Sequence, residues 1–167
     1  MSEGKVPVTV RFYRFKNRLK EKCAGLAPGD AGISDEALAE AEAALSAMAE
    51  DYPDWVSTLI DKLAEQHRRC VDTPEQRKEF FAEVARIAHD MKGQGGTFGY
   101  PLITAFADSL HGFSTTKGDL TDNHVELIKT HVDAMRVVIK DRVSGDGGEI
   151  GKQLTESLNE AIEKYKV

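Results

Sequence analysis

The sequence predicts an all-α protein, and three features favour that fold class. From Ser34 onward apolar residues recur at helical spacing, capping residues and prolines stand where helices would begin, and no convincing series of strands interrupts them. We expect an antiparallel four-helix bundle with its core at about 53–143, plus an extra helix at each end. Residues 1–33 are expected to form a basic arm and linker, and residues 34–167 one helical domain.

Capping residues and prolines mark where each helix should begin. Ser34 is a suitable N-cap for a first helix that has acidic residues in its first turn. Proline fits a first helical turn because its missing N–H would have no partner there in any case. Along the chain these signals predict helices that begin at or just after Ser34, Pro53, Thr73, Pro101, Thr121 or Asp122, and Glu149.

The first predicted helix, residues 35–50, has an apolar face too narrow to stand alone. We expect it to pack on the bundle, with packing on a second copy of the chain as the alternative. Tyr52 and Trp55 are expected to be packing residues, with a role in docking a partner as the alternative.

Charge is distributed unevenly along the chain. Residues 1–22 carry seven Lys or Arg against two acidic residues, a net +5, whereas the remaining 145 residues sum to −11. The basic arm could bind an acidic protein surface, nucleic acid or a membrane, but we expect it to remain solvated or to fold onto the acidic body. An acidic body argues against nucleic acid as the main partner.

Composition also predicts the compartment. The chain has no apolar run of membrane-spanning length and no signal-peptide pattern, so we expect no membrane insertion. Its two cysteines, Cys23 and Cys70, stand alone and are expected to be free thiols. We therefore expect a cytoplasmic protein, and a monomer.

The stretch HDMKGQGGTFGY, residues 89–100, contains four glycines within a span of seven residues, directly after a segment patterned as a helix. Each glycine within a helix costs about 1 kcal/mol relative to alanine. On a helical wheel the apolar residues that lie within about 40° of the side opposite His89 are Phe80, Val84, Ile87, Met91 and Phe98. This stripe predicts that the helix continues to Phe98 and that His89 points away from the core.

The face around His89 is almost without side chains. Ala82, Ala85, Gly93 and Gly96, which we call the small-residue face, lie within about 40° of His89. Lys92 lies about 60° to one side. Since a solvated helix face normally carries Glu, Lys and Gln, this bare face predicts that a partner docks closely against the imidazole.

The residue types indicate a carrier. A neutral imidazole is a competent nucleophile near pH 7, and Lys92 could offset the charge of a phosphoryl group taken up by His89. The sequence shows no general base, metal cluster or oxyanion hole beside His89. We therefore expect a phosphoryl carrier without catalytic machinery of its own, not an enzyme.

The motif AHDMKGQGGTFGY resembles the signature of histidine-containing phosphotransfer (HPt) domains, and is especially similar to that of the phosphotransfer domain of bacterial chemotaxis kinases. The resemblance implies that His89 is phosphorylated on its outer ring nitrogen and that Lys92 is its charge partner. It also implies that Gly93, Gly96 and Gly99 are small positions against which a receiver domain packs, so Gly99 joins the small-residue face in the predicted docking surface. Partners would be receiver domains and sensor histidine kinases of two-component signalling, with Mg²⁺ on the receiver and no cofactor here.

The chemotaxis members carry a histidine and a glutamate on the next helix, close to the phosphorylated histidine. The matching positions here are Asp108 and His111, which share a helix face with Thr104. Either could hydrogen-bond the His89 ring and fix its tautomer. Alternatively both are solvated, or Asp108 pairs with His111 and water orients His89.

Three other features of the sequence could suggest a different kind of site. The glycine segment fits neither nucleotide-binding pattern and follows a helix rather than a strand, so no nucleotide site is predicted. His124 and His131 lack the paired Glu-x-x-His pattern of metal-binding bundles, so no metal site is predicted, and His67 looks like a solvated residue at a helix end. The alternative function is a helical interaction module that binds and sequesters a receiver or kinase without transfer.

Overall fold

The structure is a computed structural model that describes residues 34–115 and 120–165. Its α-helices are α1 (Asp35–Asp72), α2 (Arg77–Gln94), α3 (Pro101–Ser114), α4 (Asp122–Lys140) and α5 (Gly148–Tyr165), with a 3-10 turn at Pro74–Gln76 before α2. Within the described ranges no strand occurs, which confirms the all-α class. The antiparallel four-helix arrangement remains a prediction, and the predicted arm and linker lie outside the described residues.

The chain divides into two compact units, residues 1–39 and residues 40–167. The described part of the first unit is the beginning of α1. There the Ser34 hydroxyl accepts a hydrogen bond from the Ala37 N–H at 3.1 Å. Ser34 is therefore the N-cap that the sequence predicts.

α1 is one helix of 38 residues, with Pro53 inside it. The prediction that Pro53 begins a second helix is therefore wrong. Proline removes one backbone hydrogen bond from a helix interior but does not have to end the helix when packing supports it. Here Tyr52, Pro53 and Val56 are all buried, and the Ser57 hydroxyl donates to the Pro53 carbonyl at 2.7 Å.

The segment of α1 from 40 to 48 is exposed along its whole length. Leu45 is 50% exposed and Met48 is 56% exposed, so about half of each apolar side chain is left uncovered by the described core. The expectation that this helix packs on the bundle is therefore wrong for the described residues. The sequence pattern predicts the narrow apolar face of this helix but contains no information on which residues cover that face.

The core of the second unit is formed by all five helices. α2 packs along α3, α3 along α4, and α4 along α5. Large side chains that are buried almost completely include Ile60 and Leu63 of α1, Ile87 and Met91 of α2, Ile103, Phe106 and Leu110 of α3, and Leu127, Ile128 and Met135 of α4. Leu158 of α5 is also buried. Burying side chains of this size contributes about 1.5–3 kcal/mol each, so the shared core holds the helices together.

Arg77, the first residue of α2, joins three segments of the chain. Its guanidinium donates to the Cys70 carbonyl at 3.0 Å and to the Leu120 carbonyl at 3.1 Å, and it pairs with Asp122 at 2.6 Å. A planar guanidinium has five N–H donors in a fixed geometry, so it can satisfy several acceptors at once. This residue therefore fixes the start of α2 against the end of α1 and the start of α4.

Arg142, just after α4, has a φ of +49°. The adjacent Val143 N–H bonds to the Val138 carbonyl at 2.8 Å, which is the pattern that closes a helix through a left-handed residue. We expect Arg142→Gly to raise the free energy of unfolding by about 1 kcal/mol, because glycine adopts this conformation without a Cβ clash. Urea denaturation measures the change. Arg142→Ala is the control, since it removes the side chain but keeps the clash, and a glycine variant no more stable than it would contradict the expectation.

Candidate functional site

α2 ends at Gln94, so the prediction that it continues to Phe98 is wrong. Beyond Gln94 the chain makes hydrogen-bonded turns, with the Thr97 N–H bonded to the Gln94 carbonyl at 3.0 Å and the Tyr100 N–H to the Gly95 carbonyl at 2.8 Å. Gly99 has a φ of +84°, which reverses the chain before α3 and favours glycine. The turns still bring Phe98 against the core, where it is half-buried.

His89 lies on the exposed side of α2. Val84, Ile87 and Met91 on the opposite side are buried, together with Ala88. The prediction that the imidazole points away from the core is therefore confirmed.

The small-residue face is open. Ala82, Gly93 and Gly96 are exposed and Ala85 is half-buried, and Gly99 is exposed as well. A Cβ added at Gly93 would meet nothing within 4 Å, and one added at Gly96 would meet only the Thr104 hydroxyl at 3.7 Å. The absence of side chains at these two positions is therefore not required by the packing of the described residues.

Gly95 has the opposite role and was not singled out from the sequence. It is buried, and an added Cβ would lie 2.8 Å from the Thr104 nitrogen, the Thr104 hydroxyl and the Tyr100 carbonyl. The Thr104 hydroxyl also accepts a hydrogen bond from the Gly96 N–H at 2.8 Å. Gly95 therefore allows the end of α2 to lie directly against the start of α3.

α2 and α3 run antiparallel through the site. Three pairs of neighbours show this direction: Gly95 with Thr104, Lys92 with Asp108, and His89 with His111. Residue numbers decrease along the first segment as they increase along α3. This register brings together four of the residues that the sequence singled out: His89, Lys92, Asp108 and His111.

Lys92 and Asp108 form an ion pair with a distance of 2.6 Å between Nζ and Oδ1. The hydrogen bond from Lys92 lowers the pKa of Asp108, and the charges of Lys92 and His111 act in the same direction. Asp108 thus holds the ammonium group that was expected to serve a phosphoryl group.

The imidazoles of His89 and His111 lie side by side, with their centroids 5.3 Å apart and their planes at 50°. His89 is exposed and His111 half-buried. Among the described residues, neither Asp108 nor His111 makes a hydrogen bond to the His89 ring. The alternative in which these two residues fix the His89 tautomer directly is therefore not seen, and Asp108 pairs with Lys92 rather than with His111.

The remaining histidines have structural surroundings. His131 is fully buried, with Nε2 3.0 Å from the Ser109 hydroxyl and Nδ1 2.7 Å from the Leu127 carbonyl, and burial lowers its pKa. His124 completes a capping box with Thr121 at the start of α4, since its Nδ1 accepts from the Thr121 N–H at 3.2 Å.

His67 does not fit the interpretation as a solvated helix end. It is half-buried, its Nε2 is enclosed without a hydrogen-bond partner among the described residues, and burial lowers its pKa. Across the described residues, no group of three or more His, Cys, Asp or Glu is arranged to hold a metal ion.

An aromatic cluster joins α1 to the glycine segment. The Tyr52 ring stacks on the rings of Phe98 and Tyr100, with centroid distances of 4.9 Å and 5.5 Å. Burial raises the pKa of the Tyr52 phenol to about 12. Trp55, 5.9 Å from Tyr52, is 42% exposed. It borders an open groove of about 540 Å³ lined by Met48, Asp51, Tyr52, Trp55, Gln94 and Phe98. Tyr52 is thus a packing residue, as expected, whereas Trp55 is only partly one.

No family model, curated protein or solved structure matches this chain. No described helix is long and apolar enough to cross a membrane.

Proposed function

We propose that this protein is an HPt phosphorelay intermediate, which carries a phosphoryl group on His89 and exchanges it with receiver-domain aspartates of two-component signalling proteins. The observation that carries the proposal is the exposed His89 imidazole beside a face where Gly93 and Gly96 leave open space. A nucleophile on a rigid helix with free access suits transfer to and from another protein.

The transfer is a displacement at phosphorus. The lone pair of a neutral His89 ring nitrogen attacks the phosphorus of an aspartyl phosphate, the N–P bond forms, and the P–O bond breaks to release the aspartate carboxylate. The other ring nitrogen keeps its proton, which solvent can then accept. The reverse step returns the phosphoryl group to an aspartate, with Mg²⁺ on the receiver stabilising the charge of the transferred group. The described residues around His89 contribute access and position, while the partner contributes catalysis.

Lys92 is well placed to change partners when His89 is phosphorylated. It follows His89 by three positions, which puts both side chains on neighbouring parts of one helix surface. Both side chains of its ion pair with Asp108 are exposed. Exposed ion pairs contribute at most about 1 kcal/mol to the free energy of unfolding. A phosphoryl group on His89 could therefore draw Lys92 from Asp108 at little cost.

Labelling tests the proposal. The protein is incubated with phosphorylated receivers or active histidine kinases from the same cell, with Mg²⁺, and separately with phosphoramidate, a small phosphoryl donor that needs no docking. The proposal predicts acid-labile, alkali-stable label from both sources. Stable binding of a receiver without any label from either source would support the sequestering module instead.

Docking can be tested separately from chemistry. Gly93→Gln should lower the rate of transfer from a receiver by about 100-fold, since a displacement of about 1 Å between reacting groups can cost that much. Labelling by phosphoramidate should stay unchanged, because Gly93 has open space around it and the variant should fold. Gly93→Ala is the smaller matched control. Transfer from the receiver at the normal rate in the folded glutamine variant would remove the docking role of this face.

A further inference from the structure

The His89 and His111 rings have the separation of two imidazoles that bind one metal ion. A metal ion about 2.1 Å from a ring nitrogen lies about 3.2 Å from that ring's centroid, so two rings at a tetrahedral angle have centroids about 5.2 Å apart. The observed separation of the centroids is 5.3 Å. Rotation of each ring about its Cβ–Cγ bond leaves the centroid nearly in place, so the ring nitrogens can be reoriented while this separation is kept.

The backbone that carries the two histidines is well fixed. His89 comes from α2 and His111 from α3, and these helices are held together by the close contact of Gly95 with Thr104. Both rings are accessible, since His89 is exposed and His111 half-buried. Ligands that are already close lose little freedom when they bind an ion.

The local charge does not oppose a cation. Lys92 is the nearby positive group, and its ammonium is bound by the Asp108 carboxylate at 2.6 Å. The same carboxylate lies within electrostatic reach of His111. The ion pair is therefore neutral as a whole, and its carboxylate lies near His111.

We propose that His89 and His111 together bind a divalent transition metal ion, with Zn²⁺ as the probe, and that the bound ion prevents phosphorylation of His89. Imidazole nitrogen is a ligand that Zn²⁺, Cu²⁺ and Ni²⁺ prefer. The second half of the proposal rests on the proposed phosphoryl carrier function, whereas the binding site itself does not.

A metal ion held by only two protein ligands can exchange readily with solvent. Structural zinc sites use four protein ligands and catalytic sites usually three, with water in the open position. Here water would complete the coordination, which agrees with the finding that no group of three or more ligating side chains is arranged for a metal among the described residues. Such a site suits a reversible inhibitory ion rather than a permanent cofactor.

Metal binding and phosphorylation both require the lone pair of the same His89 ring nitrogen, so they compete. A ring nitrogen binds a metal through its lone pair, and it attacks phosphorus through that lone pair. A metal held by the attacking nitrogen of His89 therefore blocks transfer in either direction, and its release restores the nucleophile without any covalent change.

Zinc titration of the full chain, followed by calorimetry and by NMR of the histidine rings, tests the site. We expect binding of one ion per chain, with affinity lowered at least about tenfold by His111→Ala and by His89→Ala. His124→Ala is the control among the other histidines, and should bind zinc as the wild type does. Unchanged affinity in a folded His111→Ala variant, or equal loss in His124→Ala, would overturn the proposal, and circular dichroism verifies folding.

Phosphoramidate labelling with and without zinc tests the inhibition. At the lowest zinc concentration that slows labelling of the wild type about tenfold, we expect labelling of His111→Ala to be slowed by no more than about twofold, because its affinity for zinc is at least about tenfold lower. Equal inhibition of both proteins would refute the competition. Zinc binding that depends on His111 in a protein that takes up no label even without zinc would instead refute the carrier function, while the metal site would stand.

Discussion

His89→Gln is expected to abolish phosphoryl uptake, both from a receiver or kinase and from phosphoramidate. Glutamine keeps a polar side chain of similar length but has no nucleophilic ring nitrogen. Because His89 is exposed, the substitution should change the free energy of unfolding by no more than about 0.5 kcal/mol. The loss of label would then report chemistry rather than unfolding. Scintillation counting of acid-labile label on the purified variant measures it.

His111→Gln is the matched control for this experiment. It removes the neighbouring imidazole, whose ring lies 5.3 Å away, but leaves the proposed nucleophile in place. We expect this variant to retain labelling by phosphoramidate in the absence of metal. If His89→Gln takes up label as the wild type does, or if His111→Gln is the variant that loses it, the assignment of His89 is wrong.

The second large effect concerns two glycines that are two positions apart. Gly95→Ala should destabilise the protein by about 1–3 kcal/mol, because overpacking of a close contact costs that much. The added Cβ would meet two backbone atoms, the Thr104 nitrogen and the Tyr100 carbonyl oxygen, each at 2.8 Å. Backbone atoms of a helix start cannot move aside as a flexible side chain can.

Gly93→Ala should instead stabilise the protein, by up to about 1 kcal/mol, because alanine favours the helix and its methyl group meets nothing within 4 Å. Thermal and urea denaturation of both variants measure the difference. Since the chemical change is identical, the opposite signs isolate the packing around each glycine. Equal stability of the two variants would contradict the assignment of Gly95 as the glycine that packs α2 against α3.

The sequence was sufficient for the helical class and for most helix starts. Ser34 and Pro101 lie where the capping and proline rules place them. Pro53 was misread because a proline at a first turn and one inside a long packed helix carry the same local signal. Phe98 was misread because the turns after Gln94 return it to the core side, which mimics the period of a helix. The course of α1 depends on tertiary packing, which periodicity does not contain.

The orientation of the site was predictable, whereas its contacts were not. Helical spacing alone puts His89 opposite Val84, Ile87 and Met91, because both sides belong to one helix. The Lys92–Asp108 pair depends on the register between α2 and α3. The close approach of the two helices depends on the buried Gly95, which composition alone does not distinguish from Gly93 and Gly96. A glycine out of phase with the exposed glycines is the one signal that could have indicated it.

The most direct measurement is to locate the label. After transfer from a phosphorylated receiver, ³¹P NMR of the intact protein and mass spectrometry of peptides kept at alkaline pH identify the atom that holds phosphorus. The phosphoryl carrier account predicts a single N–P resonance and a modified peptide containing His89. Phosphorus on another residue, or none on a folded protein supplied with cognate partners and phosphoramidate, would contradict it.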